Sequence, residues 1–154
     1  MTAVQSEIAA TAREFVNKEI LPYATELEHK DEFPDDIVDG MKEMGLFGLT
    51  IAEEYGGIGE SLLTYALVVE QIARGWMSVS GVITTHFIVA HTIAQHGTDQ
   101  QKQHLLPRMA TGALRGAFSM SEPEPGSDVA AIRTSTSPLR SSLPRWPPRS
   151  RPHT

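Results

Sequence analysis

The chain has 154 residues, 40% of them hydrophobic and 21% charged, with no cysteine and a formal net charge of −6. That length favours one domain with one sizeable core, the composition is that of a globular chain, and the acidity gives no electrostatic case for nucleic acid. Disulfides, thiol catalysis and thiolate metal sites are excluded, and no basic-then-apolar leader or 18-residue apolar run signals secretion or membrane spanning, so a cytoplasmic location is the default expectation.

Val4, Ile8, Ala12 and Phe15 recur at helical spacing, with Glu7, Arg13, Glu14 and Lys18 on the opposite face, which predicts a first amphipathic helix. Pro22 interrupts or kinks it, and Ala24 to Lys30 continues for another turn or two, supported by Glu26 and Lys30 at i,i+4. In EFPDDIVDGMKEMGL, Pro34 suits a first helical position and Asp35 and Asp36 complement the helix dipole. Ile37, Val38, Met41 and Met44 form the buried stripe, and Gly45 is the stop. LFGLTIAEEYGGIGE has no helical period, so Leu46 to Ile51 is expected to be extended and Gly56 to Gly59 to turn.

Ser61 caps a third helix with a predicted stripe of Leu62, Ala66, Val69 and Ala73, stopped by Gly75. A fourth runs from about Ser78 to Gln95. Its apolar positions mix with Ser, Thr and His, which implies polar groups paired inside the protein and a helix too polar for a lipid span. Thr98 and Gln101 fit the capping box of a fifth helix through Leu105, Leu106 and Met109, ended by Gly112. Gly116 to Met120 then reads as a β-strand. The expected fold class is mainly α: an up-and-down helical domain of about five helices, a β-strand stub and an irregular tail. Residues 135–154 hold four arginines, five of the ten prolines and no acid, a basic segment with no helix or strand pattern.

Few chemical candidates stand out. YGGIG lacks the dinucleotide fingerprint and the P-loop lysine, so a plain turn is the better reading. His86, His91 and His96 are spaced by five, which spreads them around a helix, so paired or exposed structural histidines are expected rather than a metal site. Ser127 has no nucleophile-elbow context, and Glu122, Glu124 and Asp128 lie in a proline-punctuated loop that displays carboxylates to water. In FSMSEPEPGSD, residues 118–128, a strand end offers unpaired backbone groups beside the hydroxyls of Ser121 and Ser127. Pro123 and Pro125 stiffen the segment and Gly126 permits close approach. These features suit gripping a planar heteroaromatic ring and a phosphate, and they equally suit a surface turn.

FSMSEPEPGSD followed by AAIRT resembles the signature of the flavin-dependent acyl-CoA dehydrogenases. EFPDDIVDGMKEMGLFGLTIAEEYGGIGESLLTYALVVEQIAR and GTDQQKQHLLPRMATG resemble that family's N-terminal domain in sequence and order. The resemblance covers essentially residues 1–134. It implies a helical N-terminal domain over residues 1–113, the beginning of a middle β-domain over 114–134, and a non-homologous, disordered tail over 135–154. It further implies FAD bound between middle and C-terminal domains, usually in a homotetramer, and oxidation of an acyl-CoA substrate to its trans-2-enoyl form. A carboxylate takes the α-proton, the β-hydrogen leaves as hydride to the flavin, and an electron-transfer flavoprotein is the usual acceptor.

Carried over residue by residue, the resemblance assigns the backbone of Phe118 and Met120 and the hydroxyl of Ser121 to the pyrimidine side of the flavin. Ser127 goes to the flavin pyrophosphate or the CoA-thioester side. Glu124-Pro125 stands where the commoner pattern has Gly-Ala, which puts the local backbone shape in question. The domain that supplies the catalytic glutamate is not matched, so no catalytic residue is assigned in this chain. The expectation is a truncated or frameshifted member whose homology ends near Thr134, inactive alone. A non-catalytic helical interaction module, or a fragment of an acyl-CoA oxidase, is the alternative.

Overall fold

The computed structural model describes residues 1–123 and 126–134. The expectations for Glu124, Pro125 and the tail from 135 onward lie outside the described residues. The chain divides into two units, Met1–Phe118 and Ser119–Thr154.

The first unit is helical throughout. α1 (Ala3–Phe15) opens on a capping box in which the Thr2 hydroxyl accepts from the Gln5 N–H and the Gln5 side chain accepts from the Thr2 N–H. It runs directly into a π-helical turn, Val16–Ile20, where the Leu21 N–H reaches back five residues to the Val16 carbonyl at 2.9 Å. Pro22 explains the widening. A proline ring strikes the carbonyl four residues before it, and a locally wider turn relieves that clash. A short helix α2 (Ala24–His29) follows, then α3 (Asp35–Glu43), which starts immediately after Pro34 and buries Ile37, Val38 and Met41 as the stripe predicts. Gly45, at φ +71°, closes α3 in the left-handed conformation that only glycine adopts without strain.

Residues 46–51 depart from the expected extended segment. Leu46–Gly48 forms a 3-10 turn, and a second one spans Glu53–Tyr55. The lack of a helical period and the glycines predict extended backbone, whereas the chain here coils tightly enough to bury Leu46, Phe47, Leu49 and Ile51 together. Gly56 and Gly59, both at positive φ, make the expected turn.

Ser61 caps α4 (Leu62–Gly75) through the Thr64 N–H. The predicted stripe of α4 is out of phase. Leu62 and Leu63 are exposed and Ala66 faces out, while Thr64, Val68, Gln71 and Ile72 are buried. The burial of two polar residues is compensated by pairing: Thr64 donates to Glu60 at 2.8 Å and Gln71 accepts from Arg13 at 3.0 Å.

α5 (Met77–His96) is the central helix, packed against both α4 and α6 (Asp99–Ala110). An 18-residue window of this helix has a mean hydropathy of 1.3, so by length and composition alone it is apolar enough to cross a membrane, a property that the core helix of a soluble protein shares. Its polar side chains are accommodated internally, with Ser80 and Thr84 donating to the Met77 and Ser80 carbonyls and His86 bonded as described below. The capping box of α6 is the one expected, Thr98 with Gln101, and Gly112 ends the helix at φ +72°.

Two hydrophobic clusters result. The larger joins α1, the π turn, α2, α3, α4 and the start of α5; the smaller joins Ile51, Ala90, Leu106, Met109 and Ala110. They meet where Gly48 touches the backbone of Ala110.

Gly116 to Met120 is not a strand. A strand is defined by a ladder, and residues 117–123 make no backbone–backbone hydrogen bond among the described residues. In the second unit, the one regular element among the described residues is a 3-10 turn at Val129–Ala131.

Candidate functional site

The segment singled out from the sequence begins where the helical body ends. After Gly112 the chain turns, and the Leu114 N–H caps back onto the Arg108 carbonyl at 2.9 Å while Leu114 packs into the smaller cluster. Gly116 then lies against α5. A Cβ placed on it would stand 2.6 Å from the Val89 Cβ, a space that no side chain can enter without displacing that helix. One turn earlier on α5, buried His86 accepts from the Gly116 N–H through Nδ1 at 3.4 Å. Its Nε2–H donates to the Phe47 carbonyl at 3.2 Å. Burial holds the imidazole below its usual pKa, opposed in part by bonds to the Phe47 and Met109 carbonyls and reinforced by the Arg115 charge.

Phe118, the last residue of the first unit, is 48% exposed, and Met120, in the second unit, is 45% exposed. Ser121 and Ser127 are exposed, and neither hydroxyl has a hydrogen-bond partner among the described residues. Gly126 has open space where a Cβ would be. Among the described residues, then, the backbone groups of residues 117–123 have no backbone partner, the hydroxyls of Ser121 and Ser127 are unpaired, and Phe118 and Met120 are exposed.

Glu122 has a role that sequence reasoning missed. Its carboxylate reaches across the loop and accepts from the Arg133 N–H at 3.0 Å, the Thr134 N–H at 2.8 Å and the Thr134 hydroxyl. These bonds, that from the Thr134 hydroxyl first, hold the carboxyl below its usual pKa. The carboxylate remains accessible to water, as the sequence suggested, and at the same time acts as a clasp that ties position 122 to positions 133 and 134. The signal available beforehand was an acidic side chain at the start of a loop and a threonine at its end, a pattern too common to single out.

The other sequence candidates resolve simply. In YGGIG the amides of Gly57, Ile58 and Gly59 donate to the carbonyls of Ala52, Gly48 and Ile51, so they are spent on the fold and do not form a phosphate cradle. His91 stacks on Phe87 with ring centres 5.8 Å apart, and His96 is exposed at the end of α5. Among the described residues no three His, Asp or Glu side chains gather as a metal site.

Residues 2–113 match the model of the acyl-CoA dehydrogenase N-terminal domain. An acyl-CoA dehydrogenase of Bacillus subtilis (strain 168) is 35% identical over 135 residues, covering 87% of this chain and 36% of the relative. The structure of the glutaryl-coenzyme A dehydrogenase glutaryl-CoA complex matches with a TM-score of 0.81 at 33% identity, over 86% of this chain and 34% of that one. The acyl-CoA dehydrogenase complexed with FAD from Bacillus anthracis matches with a TM-score of 0.77 at 29% identity, over 86% of this chain and 23% of that one. The chain thus spans 36% or less of the length of these relatives.

Proposed function

The chain belongs to the acyl-CoA dehydrogenase family, and from that premise we propose that it forms the N-terminal helical domain and half of the flavin grip of an FAD-dependent acyl-CoA dehydrogenase. The reaction is oxidation of an acyl-CoA thioester to its trans-2-enoyl form. FAD supplies the acceptor for the hydride that leaves the β-carbon. The observation that supports this reading is a likeness that runs through 87% of the chain in sequence and 86% in fold, beyond the helical body alone.

The chain's own residues contribute binding and orientation. Backbone groups at Phe118 and Met120 and the Ser121 hydroxyl would hold the flavin at its pyrimidine side, and such hydrogen bonds would favour electron density there. Ser127 meets the pyrophosphate or the thioester side. The open backbone groups of residues 117–123 and the unpartnered hydroxyls of Ser121 and Ser127 fit those duties. No side chain here is assigned as the base that removes the α-proton. We therefore propose that the chain alone neither retains FAD nor turns over, that residues 1–113 and 114–134 are separate domain portions, and that an electron-transfer flavoprotein and a homotetramer belong to the complete assembly.

The test is a chimera in which residues 1–134 replace the corresponding part of the Bacillus subtilis relative. It is expected to bind FAD and oxidise an acyl-CoA, while the isolated chain mixed with both stays colourless and inactive. A chimera that folds but binds no flavin overturns the assignment, and stoichiometric flavin on the isolated chain overturns its proposed incompetence. Exposed Leu62, Leu63 and Met77 on the helical body favour a second reading, a non-catalytic interaction module. Under that reading the isolated chain co-elutes with an intact relative in size-exclusion chromatography.

A further inference from the structure

We propose that His86 is a positioning residue: neutral and protonated on Nε2, it holds Gly116 against α5 and so sets where the backbone leaves the helical body, and it releases Gly116 in acid. The latch stands on the geometry of the first unit. Its consequence for flavin binding at Phe118, two residues on, rests on the function proposed above.

Three observations fix the arrangement. His86 is 1% exposed, and its ring sits edge-on to Phe47 with centroids 5.0 Å apart and planes at 88°, so it has no freedom to turn. Its two nitrogens face opposite kinds of partner. The Phe47 carbonyl accepts and requires a proton on Nε2; the Gly116 N–H donates and requires a lone pair on Nδ1. Gly116 is seated between His86 and Val89, one turn apart on the same face of α5. Its missing side chain is what allows that approach, since a Cβ there would come within 2.6, 2.8 and 3.1 Å of the Val89 side-chain carbons.

A second proton on the ring must go to Nδ1, which can then no longer accept from the Gly116 N–H, while the Met109 carbonyl is the acceptor beside the ring that can take up the new donor. The bond to Gly116 is lost while the bond to Phe47 survives. The elements packed around the ring add no acid to compensate: the 3-10 turn presents the Phe47 carbonyl, α6 the Met109 carbonyl, and the exit segment the Arg115 charge, which opposes protonation. The folded-state pKa is lowered, so the neutral latch is fully present above the ordinary imidazole value of about 6.5. It is lost as the pH falls below that and through the depressed value.

The experiment uses the full chain, labelled with nitrogen-15. Long-range proton–nitrogen correlation of the His86 ring at neutral pH is expected to show the Nε2–H tautomer. Exchange of the Gly116 amide, corrected for the intrinsic effect of pH, is expected to rise roughly three- to tenfold in step with the His86 titration, the range one lost hydrogen bond gives. His86→Gln keeps a donor for Phe47 but has no acceptor at the Nδ1 position, and should show fast, pH-independent Gly116 exchange. His86→Asn carries an oxygen near that position and should restore slow exchange. An Nδ1–H tautomer, or Gly116 exchange that ignores the His86 titration, overturns the proposal. Both readouts come from the unmodified chain, so a variant that fails to fold does not remove the test. Neither involves flavin, so a chimera that binds no FAD would refute the function while leaving the latch intact.

Discussion

Gly48→Ala should destabilise the helical body even though alanine is the better residue inside a helix that has room for its methyl group. A Cβ at this position would stand 2.8 Å from the Ala110 carbonyl oxygen and 3.3 and 3.4 Å from the Cα and carbonyl carbon of the same residue. All three are backbone atoms of α6, which cannot rotate aside as a side chain would. Nor can residue 48 retreat. Its N–H is held by the Gly45 carbonyl at 3.0 Å, and its own carbonyl accepts from both Ile51 at 3.1 Å and Ile58 at 2.9 Å. Overpacking of this kind costs about 1–3 kcal/mol. The restricted unfolded chain returns about 0.4–1 kcal/mol. The net expectation is a loss of about 0–2.6 kcal/mol, centred on about 1.3 kcal/mol, at which Tm falls by roughly 5 °C for a domain of this size. Gly81→Ala is the matched control. It lies inside α5 with nothing within 4 Å of the added carbon, so the same chemical change should stabilise by about 0.5–1 kcal/mol. Urea unfolding followed by far-UV circular dichroism measures both. A Gly48→Ala protein as stable as the wild type, with an unchanged denaturant slope, would show that α6 is not held against the 3-10 turn in the way described.

The capping box of α6 gives a second expectation. Thr98→Ala removes the hydroxyl that accepts from Gln101 at 3.2 Å and should cost about 1 kcal/mol in the same denaturant assay; no measurable loss would mean water caps this helix equally well. The Glu122 clasp gives a third. A carboxyl whose folded pKa is depressed contributes stability above its unfolded value and loses it as the pH falls through the folded one. The amides of Arg133 and Thr134 should therefore exchange faster in acid once the intrinsic effect is removed. In Glu122→Gln that added pH dependence should disappear; its persistence would mean another group titrates there.

The features of the fold that were legible in the sequence are those decided within one turn of the chain. Ser61, the Thr98–Gln101 pair, Gly45 and Gly112 act on backbone groups no more than a few residues away, and each does so where local chemistry places it. The α4 stripe failed for the converse reason. Leucine at 62 and 63 pulled the predicted face toward them, but the face that packs includes Thr64 and Gln71. What makes those two buriable is a carboxylate four residues back and an arginine 58 residues away in α1. Hydrophobic periodicity counts a buried polar residue as an error, and only the long-range partner corrects it. Leu46 to Ile51 failed because a tight 3-10 turn carries no period that a window can detect.

The candidate site divides along the same line, and the division explains what the chain does with its acidic loop. What was readable from composition at residues 118–128 was small hydroxyls, prolines and a glycine beside an extended stretch, which suit gripping a ring and a surface turn equally. That Glu122 is spent inside the loop was not, because its partners are two main-chain N–H groups at positions 133 and 134, which every sequence possesses. The consequence is chemical. A carboxylate accepting three hydrogen bonds, with its pKa lowered by them, is engaged in tying position 122 to positions 133 and 134. The same economy governs the approach to that loop, where His86 uses both ring nitrogens on backbone groups and keeps neither for catalysis.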